Sequence, residues 1–314
     1  LNSILDKDPY GSYPLDDLLA VSTPKPPKDF NDFWKQAYVE ALAINPAAVL
    51  HDTGRHHKNW KVYDVSFQST DSITIWGWLL VPKSGKVNKA LVIGHGYAGR
   101  NEPDFNLPFT DTALYFPCSR GISRSAAPPI SQEPYWHVIH DIDKKDRYII
   151  RGCVEDVWLS VSVLENLYPH LANKVSLLGV SFSGGVGMLA LAQDTRIARA
   201  HFNVPTFGNH QLRLRIPTHG SGKSLQDFYQ REPFKLIRTL RYYDAAYAAA
   251  NVTVPVHFAL ALRDPVVTPP GQFAIYNQVK SDKQLFVLEA GHDSYPNQGK
   301  QSKELKQELL TFFS

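Results

Sequence analysis

The hydrophobic pattern changes character roughly a third of the way along the chain. Near the start, Phe30, Phe33, Trp34, Ala37, Tyr38 and Ala41 recur at helical spacing and predict an amphipathic helix over 29–43. Two stretches then alternate apolar and polar positions, Trp60–Gln68 and Thr74–Val81, the pattern of half-buried antiparallel strands. Beyond them the predicted strands become short continuous apolar runs: Lys89–Ile93, Val175–Leu178, Val254–Leu262 and Gln284–Leu288. Helical patterns alternate with these runs. Val154, Val157, Trp158, Val161, Leu164 and Leu167 trace one helical face, and further helices are predicted over 182–193, 270–279 and 302–313.

Strands buried on both faces and interleaved with helices imply a mostly parallel central sheet with helices on both faces. Preceded by an antiparallel start, the pattern predicts an α/β-hydrolase fold with its site beyond the strand C-termini. Residues 1–314 read as a single domain, with 1–59 as an N-terminal extension of arm and helix. Residues 205–241 read as a lid or insertion, because Arg213, Arg215, Lys223, Arg231, Lys235, Arg238 and Arg241 make 211–241 basic. A solvated face is the plainer expectation for such a run.

Composition narrows the function. A net charge of +3 over 314 residues argues for neither nucleic acid nor membrane binding. No apolar run has the length of a membrane span; Ala245–Leu262 is interrupted by Asn251, Pro255 and His257. Cys118 and Cys153 form no metal spacing and no disulfide framework. No signal peptide is visible in LNSILDKDPY, yet the sequence starts at Leu1, so localisation stays open.

The chemistry concentrates in KVSLLGVSFSGGVGM, residues 174–188. Gly179-Val180-Ser181-Phe182-Ser183 approximates the nucleophile elbow G-x-S-x-G, in which a strand turns sharply into a helix and presents a serine hydroxyl. Ser181 is favoured over Ser183 because it falls at the tip of the predicted strand; small spacers in a tight turn are the bland alternative. Serine needs a histidine to take its proton and a carboxylate to orient that histidine. His292 is the last histidine of the chain, and Asp264 follows the intervening strand, in the order this fold requires. Asp293 is a rival acid.

Gly94-His95-Gly96-Tyr97-Ala98-Gly99 matches the dinucleotide fingerprint G-x-G-x-x-G. The polar run Arg100-Asn101-Glu102-Pro103-Asp104 follows it in place of a helix, so an oxyanion loop is preferred, with the Tyr97 and Phe182 N–H groups as donors. His137 and His140 in HVIHD, residues 137–141, suggest a metal only weakly, since imidazoles three apart need a third ligand that the sequence does not identify, and are read as surface or packing histidines; His56 and His57 are expected to face solvent.

DFNDFWKQAYVEAL, HGYAG, SRG at 119–121, YIIRGCVEDVWLSVSVLENL, the elbow, YYDAAYAAANV, RDPVVTPPGQFAIYNQVKSDKQ and GHD together resemble the acetyl xylan esterase and cephalosporin-C deacetylase group, carbohydrate esterase family seven. The resemblance implies a deacetylase with Ser181 as nucleophile, His292 as base, Asp264 as orienting acid and the Tyr97 and Phe182 amides as oxyanion donors. It implies no cofactor, an acylated saccharide as substrate, and a cytoplasmic bacterial enzyme assembled as a homo-oligomeric hexamer. The chain departs from the family pattern at Ile122, Phe182, Ser183 and Asp293, and its segment between Gly99 and Tyr115 is shorter.

Overall fold

The computed structural model describes residues 2–5, 8 and 10–314; Leu1, Asp6, Lys7 and Pro9 of the expected N-terminal arm lie outside the described residues. The strands are β1 (Val49–His57), β2 (Trp60–Gln68), β3 (Thr74–Pro82), β4 (Lys89–Ile93), β5 (Thr112–Pro117), β6 (Val175–Val180), β7 (Ile197–Asn203), β8 (Val256–Ala261) and β9 (Lys283–Leu288). Among the described residues they form one sheet in the order β1-β2-β3-β5-β4-β6-β7-β8-β9. Pairings from β1 through β3 to β5 are antiparallel, and every pairing from β5 to β9 is parallel. This is the expected antiparallel start followed by a parallel sheet.

Alternate side chains of the central strands feed two cores, as the two-residue period requires. Val92 and Tyr115 pack with the helices Phe30–Leu42, Ile149–Leu167 and Phe182–Leu191. Leu91, Ile93, Leu114 and Phe116 pack with Leu305, Leu309 and Phe312 of the closing helix Gln298–Phe312. Helix Phe30–Leu42 buries Phe30, Trp34, Ala37 and Ala41 as one stripe. Its Trp34 indole donates to Tyr242 O at 2.8 Å and stands edge-on to Trp158. The arm ahead of it is tied down as well: Tyr13 N–H donates to Leu262 O, and Asn277 donates to Leu18 O and Val21 O.

Three strands had no counterpart in the sequence expectation, each for a physical reason. β1 is an edge strand, exposed along nearly all its length, so no apolar alternation marks it. β5 is apolar but ends a polar loop and was not separated from it. In β7 the apolar run is broken by Arg199 and His201, whose polar groups are satisfied internally. Arg199 donates to Phe312 O at 2.6 Å, and His201 Nδ1 lies 3.0 Å from His257 Nδ1. Beside the β1–β2 turn, His56 is exposed as expected, whereas His57 stacks on Phe105 with centroids 4.0 Å apart.

Residues 220–231 and 233–240 form helices; the first packs beside 134–137, where Tyr135 donates to Asp227 at 2.8 Å. Arg215, Lys223, Arg231, Lys235, Arg238 and Arg241 are exposed, as a solvated face predicts. Arg213 is not: it is folded inward and buried, which a solvated face does not predict.

One buried ionic cluster joins the helix Ile149–Leu167 to the loop after β5. Arg120 engages both carboxylate oxygens of Asp156, at 2.8 and 3.1 Å, and Asp71 at 3.0 Å. Glu155 beside it accepts from Thr70 at 3.2 Å, and burial pushes its carboxyl up to about 7 against the pull of Arg120 and Arg151. The folded state therefore retains a proton that the unfolded chain, with an ordinary value of 4.5, has already lost. This contribution to stability is complete below about 4.5 and is lost as pH rises through about 7. Glu155→Gln should remove a slope approaching about 1.4 kcal/mol per pH unit in this window. Urea unfolding at several pH values checks it, and parallel wild-type and variant curves would contradict the assignment.

Candidate active site

The C-terminal ends of the parallel strands are aligned by their registers: Val180 pairs with Asn203, and Ala261 with Leu288. Ser181 follows β6 immediately and caps the helix Phe182–Leu191 with φ 53° and ψ −110°. A non-glycine residue in that region is strained and persists only where its surroundings impose it. The surroundings here are glycines. A methyl group on Gly179 would collide with the backbone carbonyl of Ser183, and one on Gly185 with that of Thr206. β6 runs two residues beyond the predicted strand end, so the turn is confined to Ser181 itself.

β9 lies three strands from β6, roughly 14 Å at ordinary strand spacing. The loop after β9 spans that distance and places His292 Nε2 2.9 Å from Ser181 Oγ. His292 Nδ1 lies 2.7 Å from Asp264 Oδ2. Because a carboxylate can only accept, Nδ1 carries the proton and Nε2 offers its lone pair to the serine hydroxyl. Asp264 is buried, and its remaining acceptor sites are filled: Oδ1 by the Val266 and Val267 N–H groups, both at 2.9 Å, and Oδ2 also by Gln272 at 3.1 Å. Gln272 in turn accepts from Ala261 N–H and donates to Val267 O, so the acid is held by the end of its own strand.

The rivals point elsewhere. Ser183 Oγ accepts from Val180 N–H at 2.8 Å and lies 3.1 Å from Val180 O, so its hydroxyl closes over the elbow backbone. Asp293 pairs with Arg263 at 3.0 Å and does not reach the imidazole. No helix opens at Gly99, and residues 100–111 form an irregular loop. His137 is a packing residue; His140 lies 3.7 Å from Asp141. Among the described residues no cluster of three His, Cys, Asp or Glu could hold a metal.

The loop after β4 comes over the elbow. His95 is buried, with Nδ1 2.7 Å from Gly96 O and Nε2 accepting from Ser119 N–H at 3.0 Å. The second bond fixes the tautomer: Nδ1 bears the proton and donates to Gly96 O, and burial holds this imidazole down to about 4, hence neutral. A trans peptide points its N–H opposite its carbonyl, so fastening Gly96 O aims the Tyr97 N–H the other way. Among the described residues neither the Tyr97 nor the Phe182 N–H has a protein acceptor. The Tyr97 ring stacks on Phe182 with centroids 4.2 Å apart, and its hydroxyl donates to His137 Nδ1 at 2.6 Å. His137 Nε2 donates to Arg120 O at 2.9 Å, with burial holding this ring down to about 4. Sequence reasoning singled out Tyr97 and Phe182 for their amides alone and missed the ring contacts, His95 and Gln272. The one available signal was a histidine inside the glycine loop.

The family model for acetyl xylan esterases matches residues 12–309. Acetyl esterase Axe7A of Xylanibacter ruminicola is 20% identical over 287 residues, covering 84% of this chain; the chain spans 62% of that relative's length. The solved acetyl xylan esterase from Paenibacillus sp. R4 superposes with a TM-score of 0.81 at 20% identity, over 94% of this chain and 99% of that one. Acetyl xylan esterase 1 from Thermoanaerobacterium sp. JW/SL YS485 gives 0.78 at 21% identity, over 95% and 99%. An acylaminoacyl peptidase from Pyrococcus horikoshii gives 0.62 at 14% identity, over 82% of this chain and 41% of that one. These superpositions establish the α/β-hydrolase fold.

The elbow also constrains its neighbour across the sheet. Gly94 lies directly against the Ser183 side chain, and a methyl group there would overlap Ser183 Cβ and Oγ. Gly94→Ala should therefore destabilise the protein by about 1–3 kcal/mol. Adding Ser183→Gly should recover most of this loss, because the overlapping atoms are removed. Thermal unfolding of both single variants and the double variant tests it; strictly additive effects would contradict the contact.

Proposed function

Because the chain belongs to the acetyl xylan esterase family, we propose that it is a serine carboxylesterase that removes acetyl or other short acyl groups from sugars or related alcohols through an acyl-enzyme intermediate. The observation that carries this reading is the continuous hydrogen-bonded chain Ser181–His292–Asp264, with the Tyr97 and Phe182 amides left without an acceptor among the described residues.

His292 Nε2 accepts the Ser181 proton as Oγ attacks the ester carbonyl. Asp264 keeps the ring oriented and stabilises the imidazolium that forms. Negative charge develops on the carbonyl oxygen, toward the Tyr97 and Phe182 N–H groups, the latter at the start of a helix whose dipole favours an anion. His292 then protonates the departing alcohol. A cavity of about 260 Å³ opens beside His292, lined by polar Asn203, Asp293 and Gln298 and by apolar Val180, Val204 and Leu288. Water, activated by the same imidazole, releases the acyl group in the second half of the cycle.

Ser181→Ala and His292→Ala should each lower kcat for 4-nitrophenyl acetate by at least about 10⁴-fold, while Ser183→Ala stays within about tenfold. Equal losses at 181 and 183 would sink the assignment. Short acyl esters should be turned over faster than those beyond about four carbons, and a preference for long chains would move the reading toward a lipase or peptidase.

His95 supplies a separate test of the oxyanion loop. In His95→Asn the amide nitrogen replaces Nδ1 and retains the bond to Gly96 O; in His95→Gln only the Nε2 position is reproduced. The asparagine variant should retain the greater kcat, and the glutamine variant should lose about 10²–10³-fold, the usual cost of an oxyanion donor, with little change in KM. The reverse order would show that the ring serves Ser119 rather than the Gly96–Tyr97 peptide.

A further inference from the structure

Arg213 is 6% exposed, yet among the described residues no carboxylate lies within ion-pairing reach of its guanidinium. A buried charge without a counter-ion is costly, and proteins rarely retain one without use for it. Asp244 acts on the guanidinium through space without pairing with it, and its carboxylate is committed to the backbone: it accepts from the N–H groups of Asn209, His210 and Ala246, each at 2.9 Å. Among the described residues only Nη1 of the guanidinium has a hydrogen-bond partner, His210 Nδ1 at 3.1 Å. That imidazole is neutral: an arginine can only donate, so Nδ1 must accept, while Nε2 donates to Tyr243 O. Nε and Nη2 are left as donors, and neither is sealed from solvent.

The position of this cation relates it to the reaction centre. Its Cζ lies 5.4 Å from the centre of the Phe207 ring, which stands edge-on to Phe182, the residue after Ser181, with centroids 6.3 Å apart. The segment carrying Phe207 and Arg213 leaves the tip of β7, where Thr206 N–H donates to Ser181 O at 3.1 Å. Val204, Phe207 and Asn209 all hold left-handed backbone conformations, with φ of 40°, 67° and 50°. Such strain, above all at a β-branched valine, clusters where a site is being shaped. Burial pulls the Arg213 pKa down to about 10, which leaves it charged at neutral pH.

We propose that Arg213 is an anion receptor beside the candidate active site, and that the ester substrate carries a carboxylate which completes the missing ion pair. The inference rests on the esterase reading and narrows its substrate class. A planar guanidinium with two free N–H directions suits a carboxylate better than a neutral hydroxyl. The carboxylate can belong to the acyl part or to the alcohol part of the ester, and the two are separable.

The test uses matched substrate pairs with the full chain. On the acyl side, 4-nitrophenyl hemiglutarate is compared with the neutral 4-nitrophenyl pentanoate; on the alcohol side, 4-acetoxybenzoate is compared with 4-acetoxybenzamide. The wild type should favour the charged member of one pair in kcat/KM by about tenfold to hundredfold, and the pair that responds identifies the source. In Arg213→Met this ratio should collapse to about one or below, and Arg213→Lys should recover part of it. A ratio does not depend on how much of a variant folds. Turnover of both pairs with no preference for charge, or a preference that survives in Arg213→Met, overturns the proposal while leaving the esterase reading in place. Failure of the wild type to hydrolyse any of the four esters, or 4-nitrophenyl acetate, overturns that reading itself.

Discussion

A single strained residue organises the site. With φ 53° and ψ −110°, Ser181 turns a buried parallel strand into a helix within one position. That turn requires the chain to approach itself more closely than side chains allow, which is why Gly179 and Gly185 flank it and why Gly94 faces it across the sheet. The cost of this conformation is met by the packing around it: the helix that follows is buried along its whole length. Every other part of the proposed chemistry is arranged relative to that hydroxyl, and the aligned ends of β8 and β9 bring an acid and an imidazole to it.

Around the elbow, neutral and charged groups are treated in opposite ways. His95 and His137 are held neutral by burial and spend both ring nitrogens on fixed partners, so they act as rigid struts beneath Tyr97. Asp264 and Arg120 are buried ions with their hydrogen-bonding sites filled by protein. Arg213 differs from these two, being buried with no ion-pair partner among the described residues. Its free Nε and Nη2 donors are what the proposed substrate carboxylate would take up.

Legibility in the sequence followed the physics of each signal. The elbow, His292 and Asp264 were readable because fold topology dictates both their residue types and their order along the chain, and the structure brings them into one hydrogen-bonded line. The parallel strands β4, β6, β8 and β9 were readable because burial on both faces leaves an uninterrupted apolar run. β1 left no such trace because it is exposed, and β7 because Arg199 and His201 interrupt it while finding partners in space. Arg213 looked like one more cation of a basic surface segment. Nothing in a linear sequence distinguishes a solvated arginine from one folded inward behind Phe207, since burial there is set by the strained path of residues 204–209.

The central claim is that the Ser181 hydroxyl is the group that becomes acylated. Rapid acid quenching during turnover of 4-nitrophenyl acetate, followed by peptide mass mapping, tests it directly. The account predicts one acetyl group, carried on the peptide at residue 181 and absent from the His292→Ala protein. An acetyl group found on residue 183, or no covalent adduct in an enzyme that is turning over, would contradict it.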